Sequence, residues 1–320
     1  MGLHHKSLIN LESGKHMSTE TRGSPIIVHH MAAPHHDYPP NTLEAIDNCL
    51  ATGAAFIEVD ITALREDDYL LVHDPELESE TTGSGPVHDC TPAQALQLHM
   101  KSVSTGAATS FRPALLSSVV SLFQQHPNQS RLQLDFKNVI PLMDDEPLHR
   151  LIRLIEPLGK RVIVSTGADW QLRRLHKLAP WLDLGFDIHF YIDWREPNEA
   201  IDPRIPPYKQ GAYGYWDDHP LATQRLWSTK EYLAERCEML TMLVPNLSTF
   251  YIDHRLLVQS LVDGFNWAEA LHNAGIKLDA WTLDADNPTA VTNAHQLFEA
   301  GVDQFTTNTP DDLAKLLTQI

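Results

Sequence analysis

Short apolar runs alternate with segments of helical period along almost the whole chain, and few folds can be built that way. Such alternation marks βα units around a parallel sheet. Eight runs read as strands: 25–29, 55–60, 131–137, 161–165, 182–187, 241–245, 277–283 and 303–307. A further strand over 69–73 follows the second closely and reads as an excursion from the sheet. Helical segments are predicted over 41–52, 113–125, 148–158, 169–178, 267–274, 288–300 and 310–317. In the first of these, Leu43, Ile46, Leu50 and Ala51 recur at helical spacing. Pro113, Pro288 and Pro310 stand at helix starts, and Gly159, Gly275 and Gly301 just past helix ends. Eight βα units predict an α/β fold, a (β/α)8 barrel.

The barrel is predicted to occupy residues 25–320 as one domain. Residues 1–24 are polar and read as a flexible leader without the apolar core of a signal peptide. Residues 190–240 break the rhythm. Their prolines and aromatics, among them Trp194, Pro206, Pro207, Tyr208, Tyr213 and Trp216, read as an insertion forming a lid or wall over a site. No apolar run approaches the ~20 residues of a membrane span, so a cytoplasmic location is expected. A formal net charge of −18 is the wrong sign for a nucleic-acid partner. It also means that binding a phosphate would need a local cation. Cys49, Cys90 and Cys237 lack metal-ligand or disulfide spacing and read as buried thiols. Oligomeric state is not readable.

Barrel active sites form at the C-terminal ends of the strands. The polar residues predicted there are His29, Glu58, Asp60, His73, Asp135 and Lys137. Glu58 and Asp60 are two apart on a strand and share a side, with Ile57 and Val59 on the other. Two carboxylates aimed into a barrel are costly unless a cation binds them, and a hard divalent ion with oxygen ligands meets that need. Asp135 and Lys137 repeat the spacing, so Asp135 can complete a three-carboxylate metal site with Lys137 beside it for a phosphate. His29 and His73 bracket the Glu-x-Asp pair and suit the two halves of acid–base chemistry.

In order, His29, Pro39-Pro40-Asn41-Thr42, Glu58-x-Asp60 and His73-Asp74 resemble the opening H-R-G, P-E-N-T, E-x-D and H-D of the glycerophosphodiester phosphodiesterases. The resemblance continues through Thr81–Gly85, Asp135-Phe136-Lys137, Ala280-Trp281-Thr282 and Thr307–Asp311. It implies a barrel of the phospholipase C-like phosphodiesterase type, which uses a divalent metal, Mg2+ or Ca2+, to cleave glycerophosphodiesters to an alcohol and glycerol 3-phosphate. By resemblance, Glu58, Asp60 and Asp135 are metal ligands, and His29 and His73 are the acid–base pair. Lys137 and Trp281 then contact substrate, with His30 at the position of a phosphate-binding arginine. The chain departs from the pattern at His30 and Met31 for Arg-Gly, at Pro40 for Glu, and at Asp135 for the usual Glu.

A His-Met pair and a D-x-K third strand resemble the sphingomyelinase D-like phospholipases instead. In that register His30 is the catalytic histidine. The register with His29 is adopted, because three apolar residues precede it. Three readings therefore stand: a metal-dependent phosphodiesterase acting on a small diester, a phospholipase D-like lipid phosphodiesterase, and a barrel that binds a phosphorylated ligand without turnover.

Overall fold

Alternate residues of the strands enter different cores, which is what a closed barrel requires. In the computed structural model, which describes residues 24–33, 38–126, 130–140 and 143–318, nine strands occur. They are β1 (Ile26–His29), β2 (Phe56–Ala63), β3 (Tyr69–Leu70), β4 (Arg131–Phe136), β5 (Val162–Thr166), β6 (Asp183–Asp187), β7 (Leu247–Asp253), β8 (Lys277–Trp281) and β9 (Gln304–Thr307). The parallel pairings run β1-β9-β8-β7-β6-β5-β4-β2, and β2 pairs back to β1, which closes eight strands into a ring. The short β3 pairs antiparallel with the far end of β2 and stays outside the ring. Only the sliver of the expected leader at Ser24 falls among the described residues.

Ile57, Val59 and Ile61 of β2, with Leu132, Leu134 and Phe136 of β4, pack outward against Ile46, Leu50, Val119, Phe123 and Leu151 of the helices. Burying such side chains contributes roughly 1.5–3 kcal/mol each. The opposite parity faces the lumen. Val28, Phe56 and Ile163 make a small separate cluster there, and Glu58, Asp60, Gln133 and Asp135 continue the same sides toward the strand ends. Gly185 of β6 leaves room for a lumen residue, since a Cβ there would come within 2.3 Å of the Tyr251 ring.

Most helices lie where the sequence places them, including Asp169–Leu178, Pro288–Ala300 and Pro310–Leu317. The segment 241–245, expected as a strand, is not one. It falls at the end of the helix Thr229–Leu243, and the strand β7 comes just after it. That helix starts with a capping box, in which Ser228 accepts from the Glu231 N–H and the Glu231 carboxylate accepts from the Ser228 N–H. A helix over His254–Val262 follows β7 directly.

The 190–240 segment is anchored to this helix. Arg236 and Asp217, both buried, form an ion pair at 2.7 Å, and the Tyr232 hydroxyl donates to the same carboxylate at 2.5 Å. Tyr213 stacks on Tyr232 with ring centroids 3.9 Å apart. All three cysteines are buried and form no disulfide. No helix among the described residues is long and apolar enough to cross a membrane.

Candidate active site

Asp60 of β2 and Asp135 of β4 are directly opposite each other in the sheet register, and Glu58 lies one repeat earlier. One carboxylate oxygen from each of Glu58, Asp60 and Asp135 lies within 4.8 Å of the others. Lys137 inserts among them, its Nζ 2.9 Å from Asp60 Oδ1 and 2.5 Å from Asp135 Oδ2. Glu58 is 3 % exposed and Asp60 1 %.

Burial, with the fields of Asp60 and Asp135, pushes the Glu58 carboxyl well above the usual range, despite an N–H donated by Met31 at 2.7 Å. Burial also works against ionised Asp60, but Lys137, His73 and Asn41 outweigh it and hold that carboxyl low. Burial opposes the Lys137 charge too, yet Asp135 and Asp60 raise its pKa. Three carboxylates thus face one ammonium. The cluster must keep a proton on Glu58 or take a further cation. Its donors are all hard oxygens, which fit Mg2+ or Ca2+ and not a thiophilic metal.

The P-P-N-T stretch supports this cluster. Asn41 takes a left-handed backbone (φ 59°), a conformation asparagine tolerates better than most residues, and donates its own N–H to the Met31 carbonyl at 2.8 Å. Its side chain donates to Asp60 Oδ2 and accepts from the Asp60 N–H. Thr42 caps the helix Leu43–Ala51 by accepting from the Ala45 N–H.

The two adjacent histidines part company. His29, the last residue of β1, has the parity of Ile27 and points outward. Its Nδ1 is 3.6 Å from Cys49 Sγ on the helix Leu43–Ala51. His30 continues the inward parity of Ile26 and Val28 in the turn after the strand. Its Nε2 lies 4.0 Å from Glu58 Oε2. Of the two, His30 is therefore the one that faces the carboxylates, whereas His29, the expected acid–base residue, lies against Cys49. Alternation along β1 puts the two side chains on opposite sides.

His30 has a fixed partner. Its Nδ1 is 2.8 Å from Asn308 Oδ1, while Asn308 Nδ2 donates to Asp284 Oδ2 at 2.9 Å and the Asn308 N–H to Asp284 Oδ1 at 2.8 Å. The Asn308 amide must turn its NH2 to the carboxylate, so its oxygen accepts from His30 Nδ1–H. His30 Nε2 is left as the free lone pair on the site side.

His73 follows β3 in an open position, and the expected strand 69–73 ends at Leu70. The His73 N–H donates to Glu80 Oε1 at 2.7 Å, and Asp74 donates its N–H to the same oxygen at 3.0 Å. His73 Nδ1 is 3.0 Å from Asp74 Oδ1. Although burial works against it, hydrogen bonds from His73 and Ser79 hold Asp74 below the usual carboxylate range.

These groups share one cavity of about 820 Å³ at the C-terminal ends of the strands. His30, Glu58, His73, Asp135, Lys137 and Trp281 all line it; Asp60, behind Lys137, and His29 do not. Residues not anticipated from the sequence complete it. Asp187 and His189 come from the end of β6, and Asp202, Arg204 and Ile205 come from the 190–240 segment, which walls one side.

Comparison with known proteins follows the same lines. Residues 33–203 match the model of the glycerophosphoryl diester phosphodiesterase family. A glycerophosphodiester phosphodiesterase of Caldanaerobacter subterraneus is 23 % identical over 284 residues, covering 87 % of this chain and 92 % of its own. A probable glycerophosphodiester phosphodiesterase 1 of Mycobacterium tuberculosis is 27 % identical over 232 residues, covering 66 % and 84 %. An Oleispira antarctica phosphodiesterase, solved in complex with the product sn-glycerol-3-phosphate, superposes with a TM-score of 0.61 at 16 % identity, covering 92 % of this chain and 97 % of its own. The match spans more than half of the chain and contains Glu58, Asp60, His73 and Asp135, and on it the chain belongs to the glycerophosphoryl diester phosphodiesterase family, a family of phosphodiester hydrolases.

Proposed function

We propose that the protein hydrolyses glycerophosphodiesters to an alcohol and glycerol 3-phosphate, with Mg2+ or Ca2+ held by Glu58, Asp60 and Asp135. The observation that carries this reading is the closeness of three carboxylates, all within 4.8 Å, beside two histidines on one cavity. The glycerol 3-phosphate bound by a structural neighbour supports the same substrate class. When bound, the cation neutralises charge on the phosphoryl oxygens and orients the diester.

The chain's own residues divide the proton work. His30 presents Nε2 as an acceptor, because Nδ1–H is committed to Asn308. It takes the proton of the attacking hydroxyl, either from water directly or from the substrate's own glycerol, in which case a cyclic phosphate forms and water then opens it to glycerol 3-phosphate. His73 sits next to a carboxylate that can offset an imidazolium, and it gives a proton to the leaving oxygen. Its side chain is 53 % exposed, so it can reload from solvent. Lys137 holds Asp60 and Asp135 together, and Trp281 walls the pocket.

Ile140 and Ile205 favour a second reading. Both line the cavity and both remain exposed, at 78 % and 39 %. An apolar rim suits a diester that carries an acyl chain, such as a lysophospholipid. The test is metal-stripped protein assayed with glycerophosphocholine and lysophosphatidylcholine, with Mg2+ or Ca2+ added back. Metal-restored release of glycerol 3-phosphate from the first substrate is the expected result. Turnover of the lipid alone would favour the second reading, and turnover of neither would favour a ligand-binding barrel.

A further inference from the structure

The phosphate of a diester needs a cation besides the metal, and the lysine in this cavity is already engaged. Lys137 is held between Asp60 and Asp135. Arg204, at the rim, is paired with Asp202 at 2.6 Å and its side chain is 85 % exposed. His30, beside Glu58, has its Nδ1 committed to an amide.

Besides His73, one other basic group lines the cavity. His189, just after β6, pairs through Nδ1 with Asp187 Oδ1 at 2.9 Å, and the His189 N–H donates to the same oxygen at 3.0 Å. The ring lies against Phe190 (centroids 4.1 Å) and edge-on to Trp281 (5.9 Å, 88°), which fixes its plane. Asp187 thus lies at ion-pair distance from one ring nitrogen. The other, Nε2, has no protein partner among the described residues, in a side chain that is 31 % exposed and lines the cavity. A carboxylate-backed imidazole of this kind is a charge-assisted donor. Neither residue has a part in the proton transfers described above.

We propose that the Asp187–His189 pair is a phosphate-binding element, with His189 Nε2 donating to a non-bridging oxygen of the substrate's phosphoryl group. The pair supplies a cationic contact that Lys137 and Arg204, both already paired with carboxylates, do not. This rests on the reading of the cavity as a phosphodiester site. Asp187 acts through His189 as a positioning residue.

Titration calorimetry tests it, with inorganic phosphate and glycerol 3-phosphate as separate probes in the presence of Mg2+. His189→Gln keeps a neutral donor and removes the charge. It should weaken both ligands about tenfold or more, the range of a charge-assisted hydrogen bond. Asp187→Asn keeps the ring and removes its counter-charge, so it should weaken both as well; it carries the test if the first variant does not fold. Weakened glycerol 3-phosphate with unchanged inorganic phosphate would mean that the pair reads glycerol hydroxyls, and would overturn the proposal. Unchanged affinity for both would make His189 a wall residue, with the same consequence. Wild-type protein that binds neither probe would remove the phosphodiester reading itself.

Discussion

Asn41 and Asp60 hold each other by two reciprocal hydrogen bonds. Asn41 Nδ2 donates to Asp60 Oδ2 at 2.9 Å, and the Asp60 N–H donates to Asn41 Oδ1 at 3.1 Å. Both residues are essentially buried, at 0 % and 1 % exposed. The pair ties the turn after β1 to the strand that carries two of the three carboxylates. The asparagine of P-P-N-T is thus a support for the site. The missing glutamate of that stretch, here Pro40, takes no part in the contact.

Replacing Asn41 by Ala leaves an ionised, buried carboxylate short of a donor. Losing such a partner costs roughly 1–3 kcal/mol. Thermal unfolding should register it as a lower Tm, and Mg2+ affinity should fall because Asp60 is no longer aimed. Unchanged Tm and metal affinity in Asn41→Ala would contradict this role.

Asn308 holds His30 and is itself held by Asp284, so Asn308→Ala should lower kcat about tenfold or more with little change in KM. Asn308→Leu, which fills similar space without an acceptor, should behave alike. A pure KM effect would place Asn308 in substrate binding instead.

Metal should stabilise the protein more at pH 8 than at pH 5. The Glu58 pKa is raised in the folded state by burial and by Asp60 and Asp135. Above its unfolded value of about 4.5, the folded metal-free state binds a proton that the unfolded chain has released. Its contribution to stability is therefore full below that pH and is lost as pH rises toward the folded pKa. A cation replaces the proton and restores the loss. Asp60, held low, changes only at more acid pH and drops out of this window. Comparing Tm in chelator and in Mg2+ at the two pH values should give a larger difference at pH 8, by a few degrees. Glu58→Gln should flatten the dependence, and an equal increment at both pH values would contradict the account.

Asp217→Ala should loosen the wall over the cavity. It strands the Arg236 guanidinium, which is 3 % exposed, without its anion. Breaking a buried pair in this way costs roughly 3–5 kcal/mol. Limited proteolysis should then cut within residues 190–228 before the barrel unfolds. A protease-resistant variant would show that the segment is held by other contacts.

The barrel and its cluster of three carboxylates could be read from the sequence because both follow from period-2 alternation. Phe56-Ile57-Glu58-Val59-Asp60 writes its two sides plainly, and so does Leu132–Lys137. The same rule, carried one residue past β1, sets His30 rather than His29 on the side of the carboxylates. Thr241–Pro245 misled because a short apolar run suits a helix end as well as a strand. The Ser228-x-x-Glu231 capping box was the overlooked sign of a helix, and the aromatic, β-branched run that follows was the better strand. The contacts of Asn308 and His189 could not be anticipated. Asn308 meets His30 and His189 lines the cavity from strand ends far along the chain, which only closure of the ring brings together.

The most direct test of the account is kcat for glycerophosphocholine hydrolysis in Mg2+ by His29→Ala and His30→Ala, measured side by side on folded protein. The account predicts a fall of ~100-fold or more for His30→Ala and activity within a few fold of wild type for His29→Ala. The reverse order, or near-normal activity in His30→Ala, would contradict it.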